Sequence, residues 1–191
     1  MILLLFIPAL MLLLIPAASL VLARNSPLFR EQKKLSEGVH LFNTCRYQEA
    51  FAYFDSLIRN GRHNCLTFYY RGLCQTRQGN PNSALFDFTT ALSYDNSLPE
   101  IYLERGKIYL ASGDVDRALY EFERSVFYAH GKRADVLRYR GIALIEKGRY
   151  FQAARFLNRA VELGDEEANH LLMTPPFQNS FGLSRDPSGS Y

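Results

Sequence analysis

Two columns of small residues run through this chain on one period. Gly38, Gly72, Gly106 and Gly141 are separated by 34, 34 and 35 residues, and Ala50, Ala84, Ala118 and Ala153 by the same steps. A glycine inside a helix costs ~1 kcal/mol relative to alanine, so its recurrence needs a packing cause. Helices whose axes approach to ~8–10 Å need a small side chain where they cross, and the expectation is that Gly106 faces Ala118. A third column, Phe54, Phe88, Phe122 and Leu157, follows each alanine by four residues. Three residues later come Leu57, Ala91, Ser125 and Ala160, where a neighbouring unit would rest. The unit is clearest between residues 99 and 132. There Tyr102, Leu103, Gly106, Tyr109 and Leu110 have helical spacing, Ser112-Gly113-Asp114 makes a tight turn, and Ala118, Leu119, Phe122, Ser125 and Val126 resume the pattern. The chain is a series of helical hairpins, none of which buries its apolar faces alone.

These columns resemble the tetratricopeptide repeat (TPR) family, whose period is about 34 residues. The resemblance runs from Glu31 to Leu163 and implies an all-α fold. The fold it implies is a right-handed superhelix of four hairpins at 31–64, 65–98, 99–133 and 134–164, with a short capping helix at 165–173. The departures are local. Glu37 precedes the first glycine where the other repeats have Arg71, Arg105 and Arg140, and Cys45 takes the turn position held elsewhere by Gly79, Gly113 and Gly148. Gln75 stands in a usually apolar column, no repeat ends on the family's common proline, and one extra residue falls in the 129–133 connection. The expected helix starts are Ser26-Pro27, Asn80-Pro81 and a capping box at Ser97-Leu98-Pro99-Glu100. The first helix, running to Asn43, should be longer than its counterparts.

Residues 1–23 contain no charged side chain. As a helix they would reach ~35 Å, enough to cross a ~30 Å hydrocarbon core, and Pro8 and Pro16 are tolerable in lipid. The expectation is one N-terminal transmembrane helix and a linker at 24–30 so short that the repeats lie near the bilayer. Arg24, Arg30, Lys33 and Lys34 follow the apolar run and no basic residue precedes it, which places the repeats in the cytoplasm by the positive-inside rule. The competing reading is a signal peptide cleaved after Ala23, with the repeats periplasmic or secreted. The length of the run and the lack of a preceding Lys or Arg argue against it. Cys45, Cys65 and Cys74 are odd in number and lack CxxC spacing, which fits a reducing compartment better than a disulfide framework. In an exported chain one bridge between two of them stays open.

Lys and Arg number 22 against 19 Asp and Glu, and the net charge of +3 is spread along the repeats, so nucleic-acid binding is not expected. His40, His63, His130 and His170 are scattered, and no phosphate loop or nucleophile motif occurs. The expectation is no catalytic residue, no metal and no cofactor. Glu121 and Glu123 read as a solvated helix face. Arg71, Arg105 and Arg140 read as inward arginines whose stems cover core residues while their heads meet carbonyls or acidic neighbours.

In TPR proteins the first helices line a concave surface. By that resemblance the partner-binding residues are Leu35, Val39, Phe42, Tyr69, Leu73, Arg77, Leu103, Lys107, Leu110, Arg138, Ile142 and Ile145. The Lys/Asn/Arg clamp that some TPR domains use for a chaperone's C-terminal carboxylate is missing, because Leu35, Val39, Tyr70, Glu100 and Glu104 hold its places. An apolar groove with a few basic residues suits an amphipathic helix or an extended apolar segment of a protein partner. Residues 174–191 read as an irregular tail whose Phe177, Phe181 and Leu183 are candidates for folding back into that groove. The expected function is a membrane-anchored, non-enzymatic scaffold or adaptor in assembly of a membrane-associated complex. The alternatives are an exported TPR protein in envelope, secretion or extracellular assembly, and a permanent structural subunit of a larger complex.

Overall fold

The computed structural model describes residues 27–178, with side chains from residue 35 onward. The expected membrane segment at 1–23 and the tail residues Phe181 and Leu183 lie outside the described residues. Within them the chain forms helices α1 (Pro27–Asn43), α2 (Tyr47–Arg59), α3 (Cys65–Arg77), α4 (Pro81–Tyr94), α5 (Pro99–Ala111), α6 (Val115–Tyr128), α7 (Ala134–Glu146), α8 (Tyr150–Glu162) and α9 (Glu166–Leu172). No strand occurs among the described residues, and no helix there is long and apolar enough to cross a membrane. The chain divides into two compact units between Arg62 and His63.

In the first unit α1 packs on α2, with Leu35 and Gly38 buried from one side and Ala50 and Phe54 from the other. Helix α1 has 17 residues against 13 in α2. The turn between them places Cys45 at φ 60°, where the corresponding turns of the second unit use Gly79, Gly113 and Gly148. A side chain in the left-handed region is crowded against its own backbone. Hydrogen bonds from Cys45 N to Phe42 O and from Arg46 N to Leu41 O, both 3.0 Å, hold the turn.

The second unit pairs α3 with α4, α5 with α6 and α7 with α8. Helix α5 also touches α4 and α7, α6 touches α7, and α9 closes on α8. Gly72, Gly106 and Gly141, with Ala84, Ala118 and Ala153, are all buried. The atoms nearest each glycine belong to the bulky residue four positions after the alanine, and at Gly141 the Ala153 carbonyl oxygen also lies 3.5 Å from an added Cβ. A Cβ added at Gly38, Gly72, Gly106 or Gly141 would lie under 3.0 Å from Phe54, Phe88, Phe122 or Leu157 respectively. A helical side chain leans toward the N-terminus of its own helix. Phe122 therefore lays its ring back over Gly106, and Ala118 is buried in the same core cluster.

The helices start at Pro27, Pro81 and Pro99 as expected, and the caps differ in detail. Ser97 forms no capping box; its N and Oγ both bond Asp95 Oδ1, at 2.9 and 2.7 Å, and Leu98 occupies the N-cap without a side-chain bond. Asn80 likewise precedes Pro81 without a side-chain cap bond. A reciprocal box forms instead at Asn64 and Thr67, where Thr67 N donates to Asn64 Oδ1 at 2.9 Å and Asn64 N to Thr67 Oγ1 at 3.2 Å. At the far end Asp165 accepts from Ala168 N at 2.8 Å and starts α9.

The segment after α9 is ordered into a turn as far as Gln178, with Phe177 N donating to Thr174 O at 3.0 Å. Phe177 is 4% exposed and joins Leu137, Leu144, Ala153, Leu157, Ala160, Ala168 and Leu172 in one core cluster. The tail's first aromatic thus seals the end of the last hairpin. It stands edge-on to Tyr150 at 6.4 Å and does not line the groove expected on α3, α5 and α7.

Candidate protein-binding surface

The first helices of the second unit place a band of aromatic and charged side chains side by side. From α3, Tyr69 and Tyr70 meet edge to face at 5.2 Å. Burial pushes the Tyr69 hydroxyl far above the usual tyrosine range, with the carboxylates of Glu104 and Glu100 on α5 adding to it. Tyr70 is raised for the same reasons, burial first and Glu100 second. On α5, Lys107 Nζ bonds both Glu104 oxygens at 2.7 and 2.9 Å and sits 5.5 Å over the Tyr139 ring of α7. Tyr139 packs 5.9 Å from Phe122 and lies under the Arg138 guanidinium, 5.1 Å away.

Every cation in this band has an acidic neighbour. Arg133 bonds Glu100 and grips Asp135 at 2.6 and 3.1 Å. Arg138 reaches Asp165 at 2.9 Å and Glu167 at 2.6 Å; burial works against its charge, but the two carboxylates hold its pKa above the ordinary value. Charge-assisted pairs of this kind orient side chains firmly.

The expected groove residues separate accordingly. Leu35, Leu73 and Leu103 are buried as core. Val39 and Phe42 are half-buried in the first unit, and Tyr69, Lys107, Leu110, Arg138, Ile142 and Ile145 in the second; Arg77 is exposed. Of the basic residues expected there, Lys107 and Arg138 are both ion-paired. Tyr139, Glu104, Arg133 and Asp165 complete the band and were not among the expected binding residues. The available signal was Tyr70, Glu104 and Tyr139 recurring on the same 34- and 35-residue steps as the glycines.

The arginine column has its own pairing. Arg71 grips Asp87 through two bonds of 2.8 and 2.6 Å, and Arg105 meets Glu121 at 3.1 Å. Glu121 is 4% exposed, so it does not belong to a solvated face. It lies on the hairpin's inner seam, where burial raises its pKa against the opposing pull of Arg105 and Arg124. Arg140 differs: its acidic column holds Phe156, over whose ring it lies at 4.3 Å, and it reaches Glu123 at 3.2 Å. Glu123 is on the surface as expected.

No group of three or more His, Cys, Asp or Glu side chains among the described residues could hold a metal ion. All three cysteines are free, and burial pushes the thiols of Cys65 and Cys74 up to about 11 and about 12, which favours their protonated form.

A tetratricopeptide repeat family profile matches residues 75–132 and, in a second register, 103–168. No protein of curated function matches the sequence. Among solved structures, TTC0263, a thermophilic TPR protein of Thermus thermophilus, superposes with a TM-score of 0.65 at 20% identity, covering 83% of this chain and 93% of that one. YrrB, a TPR protein with an unusual peptide-binding site, gives 0.64 at 22% identity over 74% of this chain and 73% of its own. The first TPR of Spaghetti (RPAP3), bound to the HSP90 peptide SRMEEVD, gives 0.56 at 18% identity over 61% and 92%. Period, glycine-on-ring hairpins and family profile agree, and the chain is a member of the tetratricopeptide repeat family.

Proposed function

We propose that the protein is a non-enzymatic scaffold that holds a segment of a protein partner along α3, α5 and α7. The observation that carries this reading is the band of Tyr69, Lys107, Tyr139 and Ile142, half-buried side chains that remain partly open after the hairpin cores are filled. Its charges are already neutralised within the chain, so selection of the partner rests on shape, aromatic contact and hydrogen bonding more than on net charge. A helical or extended segment with regularly spaced apolar side chains fits such a surface. Peptide binding by YrrB and by the first TPR of RPAP3 supports the reading by analogy of fold.

The uncharged run at 1–23 and the basic residues after it support a membrane anchor with cytoplasmic repeats, which would set the scaffold at the assembly of a membrane-associated complex. Val21-Leu22-Ala23 favours the second reading, an exported chain acting in an envelope or secretion assembly. Intact mass of the native protein separates the two readings.

The binding surface is tested by a photo-crosslinking residue placed at Ile142 in the native membrane, with the exposed Tyr120 of α6, outside the band, as control. A discrete partner adduct from position 142 alone supports the groove. Adducts from position 120 alone would move the partner outside the band and end this reading.

A further inference from the structure

The break in the arginine column opens onto a second site. Arg71 and Arg105 are each met by a buried carboxylate, Asp87 and Glu121, but repetition puts Phe156 in that place opposite Arg140. A second column changes sign at the same hairpin. Where Asp114 caps α6, the equivalent residue before α8 is Arg149, which makes no side-chain cap bond. The first turn of α8 holds no acidic residue, and its leading N–H groups stay open.

These changes surround a cleft of about 780 Å³ between the end of α6, α7 and α8, which shares no lining residue with the Tyr139 band. Its apolar lining is Val126, Leu137 and Phe156, and its rim carries Arg140, Arg149, Arg155 and Arg159 together with His130. Arg159 pairs with Glu162 and Arg140 with the exposed Glu123. Arg149 and Arg155 have no ion-pair partner among the described residues, so the cleft keeps an excess of two cations over an apolar floor.

We infer that this cleft binds an acidic peptide segment of a protein partner, with carboxylates at Arg149 and Arg155 and an apolar side chain over Phe156. Planar guanidinium groups bind carboxylates through two parallel bonds, which favours a defined acidic peptide over a diffuse charge. The concave apolar floor suits a side chain better than a flat anionic bilayer. The site shares no lining residue with the groove on α3, α5 and α7 and does not depend on it.

The test is fluorescence anisotropy of a short fluorescein-labelled peptide alternating glutamate and leucine, added to the full chain in neutral detergent. The expected result is binding that weakens steeply with salt. The double variant Arg149→Glu/Arg155→Glu should weaken it about tenfold or more, about 1.4 kcal/mol, with an unchanged melting temperature because both side chains are exposed and unpartnered. The groove variant Tyr139→Ala/Ile142→Ala should bind the peptide as the wild type does. Loss of binding in the groove variant, or none in the arginine variant, overturns the proposal. So does a chain that ignores the peptide but is retained on phosphatidylglycerol-containing micelles through Arg149 and Arg155, which would make the ligand a lipid surface.

Discussion

The hairpins α5–α6 and α7–α8 share one packing plan and differ in electrostatics. In both, a glycine of the first helix lies under a bulky side chain of the second, Phe122 over Gly106 and Leu157 over Gly141. In both, an arginine directly precedes that glycine. Yet Arg105 is neutralised inside the seam by Glu121, while Arg140 stacks on Phe156 and turns outward to Glu123. Steric columns repeat because every hairpin must close at the same distance. The charge column varies because one buried pair can be replaced by an aromatic contact of similar size without moving the helices. The α7–α8 hairpin is thereby released from internal pairing, and its surface is the one that carries the arginine-rimmed cleft.

The contrast is broken most directly in the hairpin with the tightest pair. Replacing Arg71 by Met keeps the stem and strands Asp87, which is 1% exposed, as a buried charge. The expected loss is about 3–5 kcal/mol, read as a lowered denaturation midpoint of the full chain. A loss below about 1 kcal/mol would show that the pair behaves like a surface one.

The steric half of the comparison is sharpened by Gly106→Ala and Gly141→Ala. The first forces a methyl against the Phe122 ring and should cost about 1–3 kcal/mol, even though alanine favours the helix by ~1 kcal/mol. The second meets Leu157 Cγ and Cδ2 at 2.8 Å, a smaller overlap than the 2.4 Å at Phe122, so its cost should be smaller. Equal melting temperatures for the two variants would contradict this account.

Acid titration separates the hairpins next. Burial raises the folded pKa of Glu121 above its ordinary 4.5. A raised acid binds its proton more tightly in the folded state, so its contribution is full below the unfolded pKa and is lost as pH rises through the folded one. Wild type should therefore lose stability relative to Glu121→Gln as pH rises from below the ordinary 4.5 through the raised folded pKa. Melting curves of the two proteins that run parallel across this window would assign Glu121 an ordinary pKa. Asp114, held below its ordinary value by the Arg117 backbone N–H and guanidinium, acts with the opposite sign at lower pH.

The smallest effect is expected at Arg140. Its carboxylate partner Glu123 is 66% exposed, so Arg140→Ala should cost no more than about 1 kcal/mol from the ion pair. A loss as large as that of Arg71→Met would mean that the Phe156 stack carries the energy of the missing pair and would erase the contrast.

Much of the fold is legible in the chain because a repeat displays each packing rule several times. One glycine in a helix is ambiguous, but four on a common step point to a close crossing. The binding band was only partly legible. Tyr69, Lys107 and Arg138 lie in it, but Leu73 and Leu103 turned inward, since register alone does not tell a rim position from a core position one helical step away. The internal pairing of Arg138 with Asp165 was hidden, because it joins a groove position to the cap of α9 across 27 residues of chain.

Periodicity along the chain established the helical hairpins, their turns on Gly79, Gly113 and Gly148, and the small-residue columns, because spacing dictates which face of a helix each residue occupies. The partner across each face was decided only in three dimensions. Gly106 lies under the Phe122 ring, Glu121 is buried against Arg105, and Phe177 seals the last hairpin. Side-chain length, lean and the offset of antiparallel helices select those contacts, and none of the three is written in the repeat step itself.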